Sequence, residues 1–173
     1  MASDDRYSYM VALVDGNGLF CGGVLICQDM VLTAAHCPEK KESFEVFVGS
    51  SKLSDRFGSE GEVVTHREEF VHPQYDWKTM ENDMAIYKLE TPVSVDVEVI
   101  RVNSNNGVPS SAGQRLVALG WGDQDPDPFR FVGSDELMSA NVNFIPNAEC
   151  NRREGYVGQE YVGYEGQVKD NMM

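Results

Sequence analysis

The 173-residue sequence predicts an all-β protein, its strands antiparallel and arranged as a barrel or a sandwich. Six short apolar or alternating runs fall within about the first 90 residues, each bounded by turn-forming residues. Almost no helical periodicity interrupts them. Adjacent glycines stand inside one run, where a small barrel has to bend sharply.

The elements follow in order. Tyr9-Met10-Val11-Ala12-Leu13-Val14 reads as a strand, and Asp15-Gly16-Asn17-Gly18 is a tight-turn signal leading to its partner, Leu19 to Ile26 with Gly22-Gly23 inside it. Met30-Val31-Leu32-Thr33 is a short apolar strand. Phe44 to Val48 alternates with period two, as a half-buried strand should. Glu62-Val63-Val64 opens another extended stretch, and Met84 to Leu89 completes the set. Residues 90–114, with Thr91-Pro92 and the run Asn103 to Gly113, read as a connector rich in turn formers. Strands resume at Arg115 to Gly120 and Leu137 to Ile145, on either side of an acidic, proline-containing loop at Asp123 to Pro128. A short helix is expected near Pro146-Asn147-Ala148-Glu149, because proline and acids suit a first helical turn. The second region holds too few strands to close a barrel.

Composition bounds the function. Apolar residues at 42% and charged residues at 24% are globular values. Fourteen Lys and Arg against 28 Asp and Glu leave a net charge of −14, which repels phosphate backbones and anionic membrane surfaces, so neither nucleic acid nor membrane is an expected partner. No apolar run reaches the roughly 20 residues of a spanning helix, and the acidic start Met1-Ala2-Ser3-Asp4-Asp5 is unlike a secretory signal. Cys21, Cys27, Cys37 and Cys150 allow three pairings, among which spacing does not choose, and they lack the paired short spacings of a structural zinc site.

One pair of residues stands out chemically. His36 ends the run Val31-Leu32-Thr33-Ala34-Ala35-His36-Cys37, placing an imidazole at the end of a buried strand where small residues let the backbone pack beneath it. Alone it would read as an ordinary core histidine. Asn82-Asp83-Met84-Ala85-Ile86, 47 residues later, places an acid at the mouth of another apolar strand. A carboxylate there needs a hydrogen-bond partner, and an imidazole N–H is suitable. Such a pair fixes the histidine tautomer and steadies the imidazolium during proton transfer.

With these two motifs, and with Tyr9-Met10-Val11-Ala12-Leu13, Phe20 to Ile26, His72-Pro73-Gln74-Tyr75, Asp83 to Leu89, Gly120-Trp121-Gly122 and Phe144 to Cys150, the chain resembles the chymotrypsin/trypsin-like serine proteases from about residue 7 onward. The resemblance implies a double antiparallel β-barrel. The first barrel, at about 7–90, would be essentially complete, and a connector at 91–114 would lead into the first part of the second barrel at 115–173. It implies peptide-bond hydrolysis in an extracellular setting on peptide or protein substrates, without a cofactor or metal. His36 would be general base and then acid, Asp83 would orient it, and Cys21–Cys37 would brace the histidine loop, all by the family's own template mechanism. Trp121 would mark where the second barrel begins.

Departures shape the expectation as much as matches do. The family's Gly-Asp-Ser-Gly-Gly nucleophile motif does not occur, so nucleophile, oxyanion hole and specificity pocket are expected to be absent from this chain. Met1 stands in place of the family's Ile-Val-Gly-Gly-like activation end, and Cys150 lacks the cysteine it would pair with. Cys27 has no family partner and is expected to be a buried free thiol or an extra bridge. Ser134 and Ser139 lack the flanking glycines and sharp turn of a nucleophile. His66 reads as solvated and His72 as a turn residue; Glu60, Glu62, Glu68 and Glu69 read as a solvated face rather than a calcium site, with Ser50 where calcium-binding members place an acid. Phe129-Arg130-Phe131 reads as a loop anchor. The expectation is a partial serine endopeptidase, inactive in isolation, with a non-catalytic binding or decoy homologue as the alternative.

Overall fold

The computed structural model describes residues 6–37, 43–58, 60–105, 109–125, 127, 129–130, 132–152, 154–157, 160–163 and 168–169. Six strands form a closed antiparallel barrel: β1 (Met10–Asp15), β2 (Gly18–Cys27), β3 (Met30–Thr33), β4 (Glu45–Val48), β5 (Glu62–Val71) and β6 (Ala85–Leu89), in the order β1-β2-β3-β6-β5-β4. A 3₁₀ turn occupies Leu53–Phe57. Beyond the barrel, β7 (Arg115–Gly120) pairs with β8 (Met138–Asn143), a short helix α1 covers Asn147–Cys150, and β9 (Glu154–Val157) pairs with β10 (Glu160–Gly163). The chain is thus all-β, a closed barrel followed by a partial second sheet.

The strand patterns follow from what each face meets. Val11 and Leu13 of β1 point into the barrel with Leu25, Val31, Val46, Val48, Tyr87 and Leu89. Met10, Ala12 and Val14 point outward, yet are covered by Phe47, Trp121 and Leu137. Burial on both faces is why β1 is continuously apolar instead of alternating. β6, by contrast, buries Ala85, Tyr87 and Leu89 and leaves Ile86 and Lys88 half exposed, the alternation of a strand with one covered face. Around the outside, Lys88 pairs with Asp29.

The connector is strapped to the barrel along its first half. Val93 and Val97 are buried in the core, while Val93 N–H donates to Gln28 and Ile100 N–H to Leu25. Glu62 accepts three hydrogen bonds, from Ser94 N–H (2.6 Å), Ser94 Oγ (2.9 Å) and Val95 N–H (3.2 Å). Burial works to raise the Glu62 carboxyl, but these bonds more than offset it, and the group lies below its ordinary 4.5. A carboxyl depressed in the folded state stabilises the fold above its unfolded value and loses that contribution as pH falls through the folded one. Acidification below the ordinary carboxyl value of 4.5 should therefore loosen the 93–97 strap, seen as faster amide exchange there; Glu62→Gln should show that loosening at neutral pH, and an equal exchange rate in both proteins would contradict it.

Only glycine fits at position 61: its φ of 74° lies in the left-handed region, and a Cβ would lie 2.7 Å from both the Phe47 ring and the Val48 carbonyl oxygen. Gly61→Ala should cost roughly 1–3 kcal/mol in urea unfolding, through conformation and clash together. An unchanged midpoint would show that β4 and β5 accommodate the methyl group.

The second region meets the barrel at a seam around Ser51 and Trp121. Trp121, 2% exposed, donates its indole N–H to Ser51 O at 2.8 Å. Leu137 N–H also reaches Ser51 O (2.7 Å), and Leu53 N–H reaches Asp135 O (2.9 Å). Both carboxylate oxygens of Asp135 accept from Ser54, one from N–H and one from Oγ, each at 2.8 Å.

Several expectations change. β9 and β10 had no counterpart in the sequence reading; each is only four residues long and opens on a glutamate, too short for alternation to register. β5 extends to Val71 because its far half pairs with β6, which covers one side of a polar run. Cys27 is exposed rather than buried: the register slips between Leu25 and Cys27, turning the side chain outward. In the Phe129-Arg130-Phe131 segment the Phe129 side chain is 80% exposed, while Arg130 ties the loop to Asp125 at 3.4 Å; Phe131 lies outside the described residues. His66 is not solvated. Its ring stacks on Phe44 at 4.1 Å and meets the Tyr87 ring edge-on at 4.9 Å, because β5 turns this position toward the aromatic end of the core. Glu69, though exposed as are Glu60 and Glu68, accepts the Tyr87 hydroxyl at 2.6 Å and so anchors the core edge as well as facing solvent; burial first, then this bond, pushes the Tyr87 hydroxyl well up.

Candidate active site

Strand register builds the site. β3 pairs with β6 so that Thr33 opposes Ala85 and Leu32 opposes Ile86. Continuing past Thr33 and back before Ala85, the antiparallel pair carries His36 and Asp83 to one rim of the barrel. Thr33 secures the strand end: buried, it donates its hydroxyl to Gly22 O at 2.8 Å. Ala35 is buried in the barrel core, and a turn follows, with Cys37 N–H donating to Ala34 O at 3.3 Å. On the opposite side Asn82 adopts a left-handed φ of 57°, a conformation asparagine tolerates. Its side-chain amide donates to Gln74 O at 2.8 Å, and Met84 N–H donates to Asn82 O at 2.8 Å. His72, in the adjoining turn, accepts Gln74 N–H on Nδ1 at 3.2 Å.

The two side chains meet. His36 Nδ1 and Asp83 Oδ2 are 2.6 Å apart, and Asp83 Oδ1 accepts the His36 backbone N–H at 2.9 Å. A carboxylate only accepts, so this contact requires the proton on Nδ1, and in the neutral ring that leaves the lone pair on Nε2. Gripping both ring and backbone, Asp83 sets the position of the imidazole as well as its tautomer. The His36 side chain is 49% exposed and that of Asp83 20% exposed, so Nε2 is reachable from solvent while the carboxylate is the more sheltered partner.

Cys21 and Cys37 form a disulfide beside this pair, with Cα atoms 5.9 Å apart. It ties the end of the histidine loop to β2, and Cys37 Sγ lies 3.8 Å from His36 Nε2. Closing a loop of 16 residues contributes about 3 kcal/mol in the chain-entropy picture. A depression of about 270 Å³ next to it is lined by Phe20, Cys21, Gly22, Leu119 and Trp121 among others; neither His36 nor Asp83 lines it.

The serines considered as nucleophiles are engaged or plain. Ser134 is buried and donates its hydroxyl to Glu136 O at 2.6 Å. Ser139 sits on β8, paired with Leu119. Among the described residues no hydroxyl is hydrogen-bonded to His36 Nε2. What the arrangement can do by itself is accept, hold and return a proton at Nε2. The sequence reading missed the main-chain bond from His36 to Asp83 and the Thr33 hydroxyl contact; neither has a sequence signature.

Comparison with known proteins gives a consistent result. The family model described as Trypsin matches residues 1–173. Human (Homo sapiens) kallikrein-7 is 32% identical over 148 residues, covering 84% of this chain and 54% of that protein. The alpha-fibrinogenase albofibrase of Trimeresurus albolabris is 30% identical over 153 residues, covering 88% and 56%. Trypsin of Xenopus laevis is 30% identical over 165 residues, covering 95% and 61%. The chain thus spans a little over half the length of these relatives.

Proposed function

The chain belongs to the trypsin family of serine proteases, and on that premise we propose that it carries the proton-transfer half of a serine endopeptidase site. His36 acts as general base toward a serine hydroxyl and then as general acid toward the leaving amine. Asp83 keeps the ring in the required tautomer and stabilises the imidazolium that forms. The 2.6 Å contact between His36 Nδ1 and Asp83 Oδ2, doubled by the main-chain bond, is the observation that carries this reading. The substrate is a peptide or protein. The Cys21–Cys37 bond supports an oxidising, extracellular setting.

The 173 residues contain no Gly-Asp-Ser-Gly-Gly segment. Proton transfer without a nucleophile and oxyanion donors does not cleave amides at useful rates. The isolated chain should therefore remain unlabelled by a serine-directed fluorophosphonate probe and should not hydrolyse peptide substrates. Stoichiometric labelling that disappears in His36→Ala would show a nucleophile within these residues and overturn that part of the proposal.

A further inference from the structure

We propose that the outer wall of the barrel is a docking face for an amphipathic helix, supplied by a separate polypeptide that completes the second region. Strand register places five apolar residues in one row around the outside. Met10 opposes Val24, Val24 opposes Leu32, Leu32 opposes Ile86, and Ile86 opposes Phe70. Directly paired residues share a face of the sheet, and the positions next to them, Val11, Leu25, Val31 and Tyr87, point into the core. The row is covered at one end only. Met10 is buried, and Val24 packs against the cluster that holds it together with Trp121 and Leu137. Leu32 and Ile86 are half-buried, and Phe70 is 52% exposed. Met84, two residues before Ile86 and so on the same face, is 42% exposed.

The closed barrel dictates how such a face can be used. It has no free edge, so no strand can add to its backbone. A partner meets side chains alone, which is how an amphipathic helix binds. From Val24 on β2 to Phe70 on β5 the row crosses β3 and β6. Three strand spacings of about 4.8 Å are matched by about 10 helical residues at 1.5 Å each.

The source of the helix follows from what adjoins the row. Val24 and Leu32 also line a depression of about 460 Å³ whose other wall is Ile100 with Val117 and Leu119 of β7, so the row is continuous with the seam between barrel and second region. Among the described residues β7 and β8 form a sheet of two strands, and Val117 and Val142 are 47% and 42% exposed. Two strands by themselves are only marginally stable, so this sheet too calls for more chain. The matched relatives are longer, this chain covering 54% of kallikrein-7 and 61% of Xenopus laevis trypsin. A polypeptide equivalent to the remainder has the length to reach both surfaces. The net charge of −14 opposes a second copy of this chain as occupant. The proposal rests on membership of the family, and not on the role of His36.

The test uses the full 173-residue chain. The probe is the Gly-Asp-Ser-Gly-Gly-bearing segment of Xenopus laevis trypsin, kept soluble by fusion to a carrier protein and immobilised, with the carrier alone as blank. One-to-one binding is expected by interferometry. Ile86→Asp and Phe70→Asp should each weaken it by roughly 10-fold or more, because each sets a carboxylate against an apolar face. Phe57→Asp, at an aromatic 81% exposed outside the row, should leave binding unchanged. Phe70 is exposed, so its variant keeps the fold even where Ile86→Asp does not, and the urea midpoint checks this. No binding of the probe, or undiminished binding by Phe70→Asp, would overturn the proposal. So would a dimer of the chain alone that Phe70→Asp dissolves, since the occupant would then be a second copy. Hydrolysis is scored apart from binding: a complex that forms through this face and cleaves no peptide upholds the docking face and counts against the role of His36.

Discussion

Replacing His36 by alanine is expected to lower kcat/KM roughly 10²–10⁴-fold once the chain is joined to a Gly-Asp-Ser-Gly-Gly-bearing segment, such as that of Xenopus laevis trypsin. The loss should fall on kcat and not on KM, because the proton moves only as the transition state forms. Asp83→Asn should be at least as damaging, by about 10⁴-fold, a figure that belongs to the family's template and not to this geometry. The reason is visible here. Asp83 Oδ2 accepts from Nδ1 at 2.6 Å, whereas an asparagine amide can present an N–H to that nitrogen, moving the ring proton to Nε2, where a base is needed. A chimera whose hydrolysis survives either substitution would show that another group takes the proton.

The second large effect is structural. Trp121→Ala should destabilise the fold by about 3–5 kcal/mol, read as a lower urea midpoint, because it empties the seam between the barrel and the second region. Met10, Ala12, Val14, Phe47 and Leu137 share that buried cluster with it. Trp121→Phe separates packing from hydrogen bonding: it keeps most of the ring and removes only the N–H that reaches Ser51 O at 2.8 Å, so its cost should be about 1–2 kcal/mol. Equal losses in both variants would mean that the hydrogen bond, not the packing, holds the seam.

Much of this architecture was legible because its signals are local. The Asp15-Gly16-Asn17-Gly18 turn and the apolar runs flanking it lead directly to the β1–β2 hairpin. The run at residues 9–14 was readable as a strand, but only the structure shows why it does not alternate: the second region covers its outer face through Trp121 and Leu137. Long-range contacts of polar residues were the least legible. Glu62, Glu69 and His66 look like surface groups in a polar stretch, and only segments distant in sequence, Phe44 before β4 and Tyr87 and Ser94 after β5, supply their partners. Cys27 was misread for a related reason, since a one-residue register slip reverses the face to which a side chain points. His36 and Asp83 could be singled out because each ends an apolar strand next to small residues. Their separation, and the second carboxylate oxygen on the His36 main chain, depend on the β3–β6 register, which no motif encodes.

The tautomer of His36 tests the account most directly. With ¹⁵N-labelled histidine in the 173-residue chain, at a pH where the ring is neutral, the two ring nitrogens are distinguishable by NMR. The account predicts that Nδ1 carries the proton and Nε2 does not, and that this preference disappears in Asp83→Asn. A proton on Nε2, or an even mixture unaffected by Asp83→Asn, would contradict it.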